Sequence, residues 1–154
     1  MMRNPSSSSF TIYYEHLVNE IQTDCSISSM NDRSSDWSSF RAVWDTGATN
    51  SVISNRAVDR CELIPTGLTE VFQVNGPPFV ANTYLVRIML PNDLEFHNIL
   101  VTSSDLEEDD ADVLIGMDII SQGDFAVTHP NEQTQFSFRI PSEADIDFEA
   151  DIAG

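Results

Sequence analysis

A mainly β domain of one lobe with one or two short helices is the fold class this sequence predicts, and three features predict it. Apolar residues recur at alternate positions along most of the chain, turn-forming residues punctuate those runs, and one segment carries a clear helix start signal. The 154 residues are the length of one ordinary domain, enough for a sizeable core and too few for two complete lobes.

Residues 1–9, with serine from Ser6 to Ser9, read as a disordered lead. Phe10, Ile12 and Tyr14, then Ile21, Thr23, Cys25 and Ile27, alternate with the period of a strand that buries one face. Between them, Leu17 to Ile21 has helical spacing. Ser28 to Ser39 is a polar loop that returns the chain into a strand over Phe40 to Trp44. Ser54 caps a short helix that starts at Asn55, is stapled by Ile53 against Val58, and ends near Leu63-Ile64-Pro65. From Glu70 the pattern is a meander, with strands over Glu70 to Val74, Val80 to Leu90 and Leu94 to Thr102, broken at Asn75-Gly76-Pro77-Pro78 and Pro91-Asn92-Asp93. The acidic stretch up to Asp112 reads as a solvated connection and Val113-Leu114-Ile115 as a short buried strand. Phe125 to Thr128 and Gln135 to Ile140 form a hairpin around His129-Pro130-Asn131. The folded domain therefore spans residues 10–141. Residues 142–154 are read as a mobile acidic tail, in which Glu143-Ala144-Asp145-Ile146 is repeated as Glu149-Ala150-Asp151-Ile152 with no basic residue between.

Composition narrows the function classes. A chain 41% hydrophobic and 21% charged suits a soluble domain, and no apolar run is long enough to cross a bilayer. The N-terminus lacks the apolar core of an export signal, so the expected location is the cytoplasm. Cys25 and Cys61 form no Cys-x-x-Cys pair and are expected to be free thiols in a reducing compartment. The net charge of −18 repels phosphates, which argues against nucleic acid or anionic membrane as a partner. His16, His97 and His129 lack ligand spacing, and the acidic loop lacks the pattern of a calcium site, so no metal and no cofactor is expected.

The chemistry resides in Asp45-Thr46-Gly47-Ala48. An apolar strand, Ala42-Val43-Trp44, delivers the carboxylate to a tight loop, and glycine lets the loop backbone fold close beside it. By itself the tetrapeptide is equally compatible with an ordinary turn initiated by aspartate.

The order of the motifs goes further. Asp45 to Ser54, then a helix, a hairpin containing Gly76, and Asp112-Val113-Leu114-Ile115-Gly116-Met117-Asp118 together resemble the retropepsin-like aspartic proteases over residues 40–140. That resemblance implies a closed, barrel-like single lobe and an aspartic endopeptidase built as a homodimer, each subunit lending Asp45 to one catalytic pair. It also implies that Leu114-Ile115-Gly116 braces the active-site loop and that Thr46 locks it to the partner's loop. Gly47 and Ala48 would meet a peptide or protein substrate, and Asn75-Gly76-Pro77-Pro78 would tip a hairpin flap. In pepsin-like relatives a hydroxyl residue stands at the place of Ala48, and its absence implies a working pH between mildly acidic and near neutral. Viral members pair an Asp with an Arg where this chain has Thr49 and Met117. The alternative is the same fold kept as a catalytically silent peptide-binding or scaffold module.

Overall fold

The computed structural model describes residues 8–30, 36–106 and 111–152. In chain order its strands are β1 (Ser8–Tyr13), β2 (Gln22–Ser29), β3 (Ser38–Trp44), β4 (Val52–Ser54), β5 (Gly67–Val71), β6 (Phe79–Leu90), β7 (Leu94–Ser104), β8 (Val113–Ile115), β9 (Asp124–Thr128) and β10 (Gln135–Ile140). Two short α-helices lie between strands, α1 (Asn55–Arg60) and α2 (Met117–Ile120), and a third, α3 (Phe148–Ile152), follows β10.

The strands β2, β3, β8, β4, β7 and β6 are hydrogen-bonded in that order, and β6 pairs again with β2, closing a six-stranded barrel. Closure removes the open edges that a flat sheet of this size would expose. Ile27, Ile88, Val113 and Ile115 of its strands are wholly buried, as one face of each strand must be, and so are Ile53 of β4 and Ile119 of α2. The strand β5 lies outside the barrel as the second arm of a hairpin with the first part of β6, pairing Gly67 with Thr83 through Val71 with Phe79.

A separate antiparallel sheet, β1-β10-β9, packs beside the barrel. Phe10, Phe136, Phe138 and Phe125 converge on Trp44 with ring centroids 4.9 to 6.1 Å from its own, and the Trp44 indole N–H donates to Thr23 Oγ1 at 2.9 Å. Tilted and edge-on aromatic pairs contribute about 0.5–1.5 kcal/mol each beyond their buried area. Trp44 is the last residue of β3, so this cluster anchors the strand end that precedes Asp45.

Both cysteines are free. Burial, reinforced by the nearby carboxylates of Asp24 and Asp112, pushes the Cys25 thiol up to about 12. It is therefore uncharged at neutral pH and a poor nucleophile. Iodoacetamide is expected to label Cys25 at least about tenfold more slowly in the native chain than in urea, as followed by peptide mass.

The structure corrects several boundaries. The N-terminal lead is shorter than its composition suggests, because Ser8 and Ser9 pair with Ile140 and Arg139 in β1; residues 1–7 lie outside the described residues. Leu17 to Ile21 is not helical: it crosses between the two sheets, where the Val18 N–H donates to Thr134 Oγ1. Helix α1 stops at Arg60 instead of near Pro65. Glu62 adopts a left-handed φ of 50°, while the N–H groups of Glu62 and Leu63 return to the carbonyls of Asp59 and Val58. That is a Schellman stop built without glycine. The hairpin strand expected over Glu70 to Val74 is Gly67–Val71, three residues earlier. In the tail, Asp147 caps the helical turn α3 by accepting from the N–H groups of Glu149 and Ala150 at 2.9 and 3.1 Å.

Candidate active site

Asp45 stands at the end of β3 with its side chain half-exposed. The N–H of Gly47 donates to Asp45 Oδ1 at 2.8 Å, and the N–H of Ala48 closes the turn onto the Asp45 carbonyl at 3.2 Å. The N–H of Asp45 donates to the carbonyl of Ile115 at 2.9 Å, which ties the loop to the end of β8. The carboxylate is thus held at one oxygen by its own loop, on a strand fixed from behind.

Leu114, Ile115 and Gly116 lie directly against this loop. Leu114 and Ile115 pair in parallel with Val43 and Trp44. Beyond them, the N–H groups of Met117 and Asp118 donate to the carbonyls of Ala48 and Thr49 at 2.7 and 3.1 Å. A Cβ at Gly116 would lie 2.8 Å from the backbone C and O of Asn50 and 2.9 Å from the Ala48 carbonyl oxygen, so only glycine permits this approach.

Two carboxylates that sequence reading left unassigned complete the brace. Asp118 accepts from the N–H and hydroxyl of Ser51 at 3.0 and 2.8 Å, and Ser51 Oγ in turn accepts from the Gly116 N–H at 3.0 Å. Asp112 is no solvated loop residue but is 7% exposed. Its carboxylate accepts from the Ser54 hydroxyl at 2.7 Å and from two nitrogens of Arg56 at 2.9 and 2.7 Å. The same Ser54 oxygen caps α1 through the Ala57 N–H at 3.0 Å. The only sequence signal for either contact was the identity of Ser51 and Ser54, since the partners are more than 50 residues away in the chain.

The Arg56 hydrogen bonds, helped by Ser54 and opposed by burial, hold the Asp112 carboxyl below the usual carboxylate range. A folded-state value depressed in this way stabilises the fold above the unfolded value and ceases to do so as pH falls through the folded one. Asp112→Asn should therefore lower stability at pH 7 by about 1–3 kcal/mol and flatten the loss below about pH 4. Urea midpoints measured across that range check it.

The hairpin predicted as a flap arches over the loop. A cavity of about 450 Å³ lies between Gly47, Ala48, Thr49, Asn50 and Val52 on one wall and Thr69 to Phe72 of the hairpin on the other, with Thr102 at its side. The β5 arm lines it, whereas Asn75, Gly76, Pro77 and Pro78 form an exposed tip outside the lining. Gly76 has a φ of 141°, and the Gln73 side-chain amide crosses the tip to the Pro77 carbonyl at 3.1 Å. Phe72 and Val74 project apolar surface here, being 76% and 100% exposed. Among the described residues no group of three or more His, Cys, Asp or Glu side chains is arranged to hold a metal ion, and no helix is long and apolar enough to cross a membrane.

The Asp-Thr-Gly loop thus lies between the end of β8 and the hairpin. A family model described as "gag-polyprotein putative aspartyl protease" matches residues 35–122. The chain belongs to this family of retropepsin-like aspartic proteases. Among solved structures it resembles a retropepsin-like aspartic protease from Rickettsia conorii, at 15% identity over 88% of this chain and 96% of that one, with a TM-score of 0.54. It also matches the retroviral protease-like domain of Ddi1 from Leishmania major, at 16% identity over 78% of this chain and 95% of that one, with a TM-score of 0.46. No curated protein matches the sequence.

Within the retropepsin-like fold, the absence of the viral Asp and Arg pair at Thr49 and Met117 leaves no charge stranded. Backbone hydrogen bonds from Met117 and Asp118, with the Ser51 to Asp118 contact, hold the same two segments together.

Proposed function

We propose that this protein is an aspartic endopeptidase that works as a homodimer. The observation that supports it is the half-exposed Asp45 carboxylate, held by the Gly47 N–H on a loop whose next residues, Gly47 and Ala48, line a cleft against the hairpin. One chain offers one such carboxylate, and the reaction needs two. Across the dimer axis the two Asp45 carboxyls share a proton, because like charges so close cannot both ionise. The ionised one takes a proton from water as that water attacks the scissile carbonyl carbon, while the protonated one donates to the carbonyl oxygen. Collapse of the tetrahedral diol breaks the C–N bond and returns a proton to the leaving amine.

In this reading Thr46, exposed beside Asp45, bonds the partner's loop, and Gly47 and Ala48, which line the cleft, meet an extended peptide or protein substrate. Val74 and Phe72 give the hairpin tip apolar surface to bury when it closes on that peptide. A reducing, cytoplasmic compartment suits the two free thiols. The charge of −18 per subunit, −36 for two, disfavours nucleic acid and anionic membranes as partners.

Activity per subunit should fall as the protein is diluted through its dimer dissociation constant, and moderate salt should shift that fall to lower concentration by screening the two acidic subunits. A rate series matched to sedimentation velocity tests both. Constant activity per subunit in a monomeric sample would refute the shared site. Tight peptide binding without any cleavage in the dimer would favour the silent binding module.

A further inference from the structure

We propose that Ser142 is a phosphorylation site for an acid-directed serine kinase, and that the phosphate opens a latch holding the acidic tail to the β9–β10 hairpin. The latch is Asp124, near the start of β9. Its carboxylate accepts from Arg139 Nε and Nη2 at 3.1 and 2.6 Å, from the Ser142 hydroxyl at 2.5 Å, and from the N–H groups of Glu143 and Ala144 at 2.9 and 3.0 Å. The first three residues of the tail are thus gathered onto one side chain. Those same hydrogen bonds, the Ser142 one foremost, hold the Asp124 carboxyl well below the usual carboxylate range.

Ser142 is exposed and lies just beyond β10, outside any sheet. From Glu143 to Ile152 the sequence alternates strictly, with acidic residues at the odd positions and apolar ones at the even positions, and no basic residue follows Arg139. An extended chain puts alternate residues on one face. In a kinase groove the segment between Ser142 and α3 would therefore present the carboxylates of Glu143, Asp145 and Asp147 in one row, complementary to a basic substrate channel. Of the other described serines with a carboxylate close behind, Ser103 and Ser104 are half-buried and paired with Ile53 and Ser54, and Ser121, at the end of α2, is followed by the single carboxylate of Asp124 before the next strand ends.

In the transfer, Ser142 Oγ bonds to the γ-phosphorus of ATP as the bridging bond to the β-phosphate breaks. ADP leaves, and the hydroxyl proton passes to the carboxylate base of the kinase. The product carries about −1.5 to −2 charges at neutral pH where a hydrogen-bond donor had been. It repels Asp124 and Glu143 and competes for Arg139, whose Nη1 already lies 3.8 Å from Glu143. The tail amides then lose their acceptor.

The test treats the full chain with an acid-directed serine kinase and Mg-ATP, then reads phosphate by peptide mass and hydrogen exchange at the Glu143 and Ala144 amides. Residues 142–154 contain no other hydroxyl side chain, so phosphate there is unambiguous. The expected result is phosphate on Ser142, none in the tail of S142A, and exchange at both amides faster by about tenfold or more, the loss of one charge-assisted hydrogen bond. Asp124→Asn in the unphosphorylated chain should accelerate the same amides, since the neutral amide is a weaker acceptor. Failure of the kinase to modify Ser142 would overturn the site. Phosphate on Ser142 with unchanged exchange would overturn the latch.

Discussion

Replacing Asp45 by Asn should lower peptide hydrolysis by about 10⁴-fold or more while the dimer and the unfolding midpoint stay as they are. The amide fills the same space and still accepts from the Gly47 N–H, but it can neither take a proton from water nor share one with its counterpart. A sharper form of the experiment mixes excess Asp45→Asn chain into the native protein. Subunits that exchange are drawn into heterodimers with one carboxylate, so activity should fall with added variant. Hydrolysis that persists in the pure variant, or activity indifferent to mixing, would place the chemistry on another residue.

Gly116→Ala should destabilise the fold and disturb the Asp45 loop at the same time. Its Cβ meets backbone atoms of Asn50 and Ala48 at 2.8 to 2.9 Å, and these cannot swing aside as a side-chain end could. Strain of this kind costs about 1–3 kcal/mol, read as a lower urea midpoint at unchanged slope. Any relaxation must move the loop that holds Asp45, so kcat should fall further than the loss of folded protein explains. A variant of native stability and full activity would show that the two segments have slack.

The parts of the site that were legible in the sequence are those made within one segment. Asp45 to Ala48 after an apolar strand, and Leu114 to Gly116 before a short helix, announce their geometry through local spacing, and the family order joined them. The alternating runs gave the barrel strands because the side-chain period of a strand is imposed by burial on one face. What escaped notice was made by pairs distant in the chain. Asp118 and Asp112 look like two more carboxylates in an acidic sequence, and only the fold brings Ser51, Ser54 and Arg56 against them. The end of α1 is not legible in the sequence because a Schellman stop usually advertises itself with glycine, and here Glu62 takes the left-handed position. Ser8 and Ser9 read as disordered because β1 draws its pairing from β10, at the far end of the chain.

The twelve residues of β6 make one unbroken strand with two employers. Its first part, to Thr83, carries the hairpin, and from Thr83 onward it is barrel wall, paired with β7 and then with β2. Thr66 fastens the other arm at the same point, its N–H donating to the Thr83 carbonyl at 2.7 Å. The hairpin is consequently a cantilever clamped at Thr83, with no separate loop to swing on. Any opening would therefore be a bend along its length, greatest at the exposed tip and vanishing at the wall. In the proposed peptidase, a peptide entering beneath the tip would work against the long end of that lever, and stiffness anywhere between Val71 and Thr83 would set how readily it is admitted.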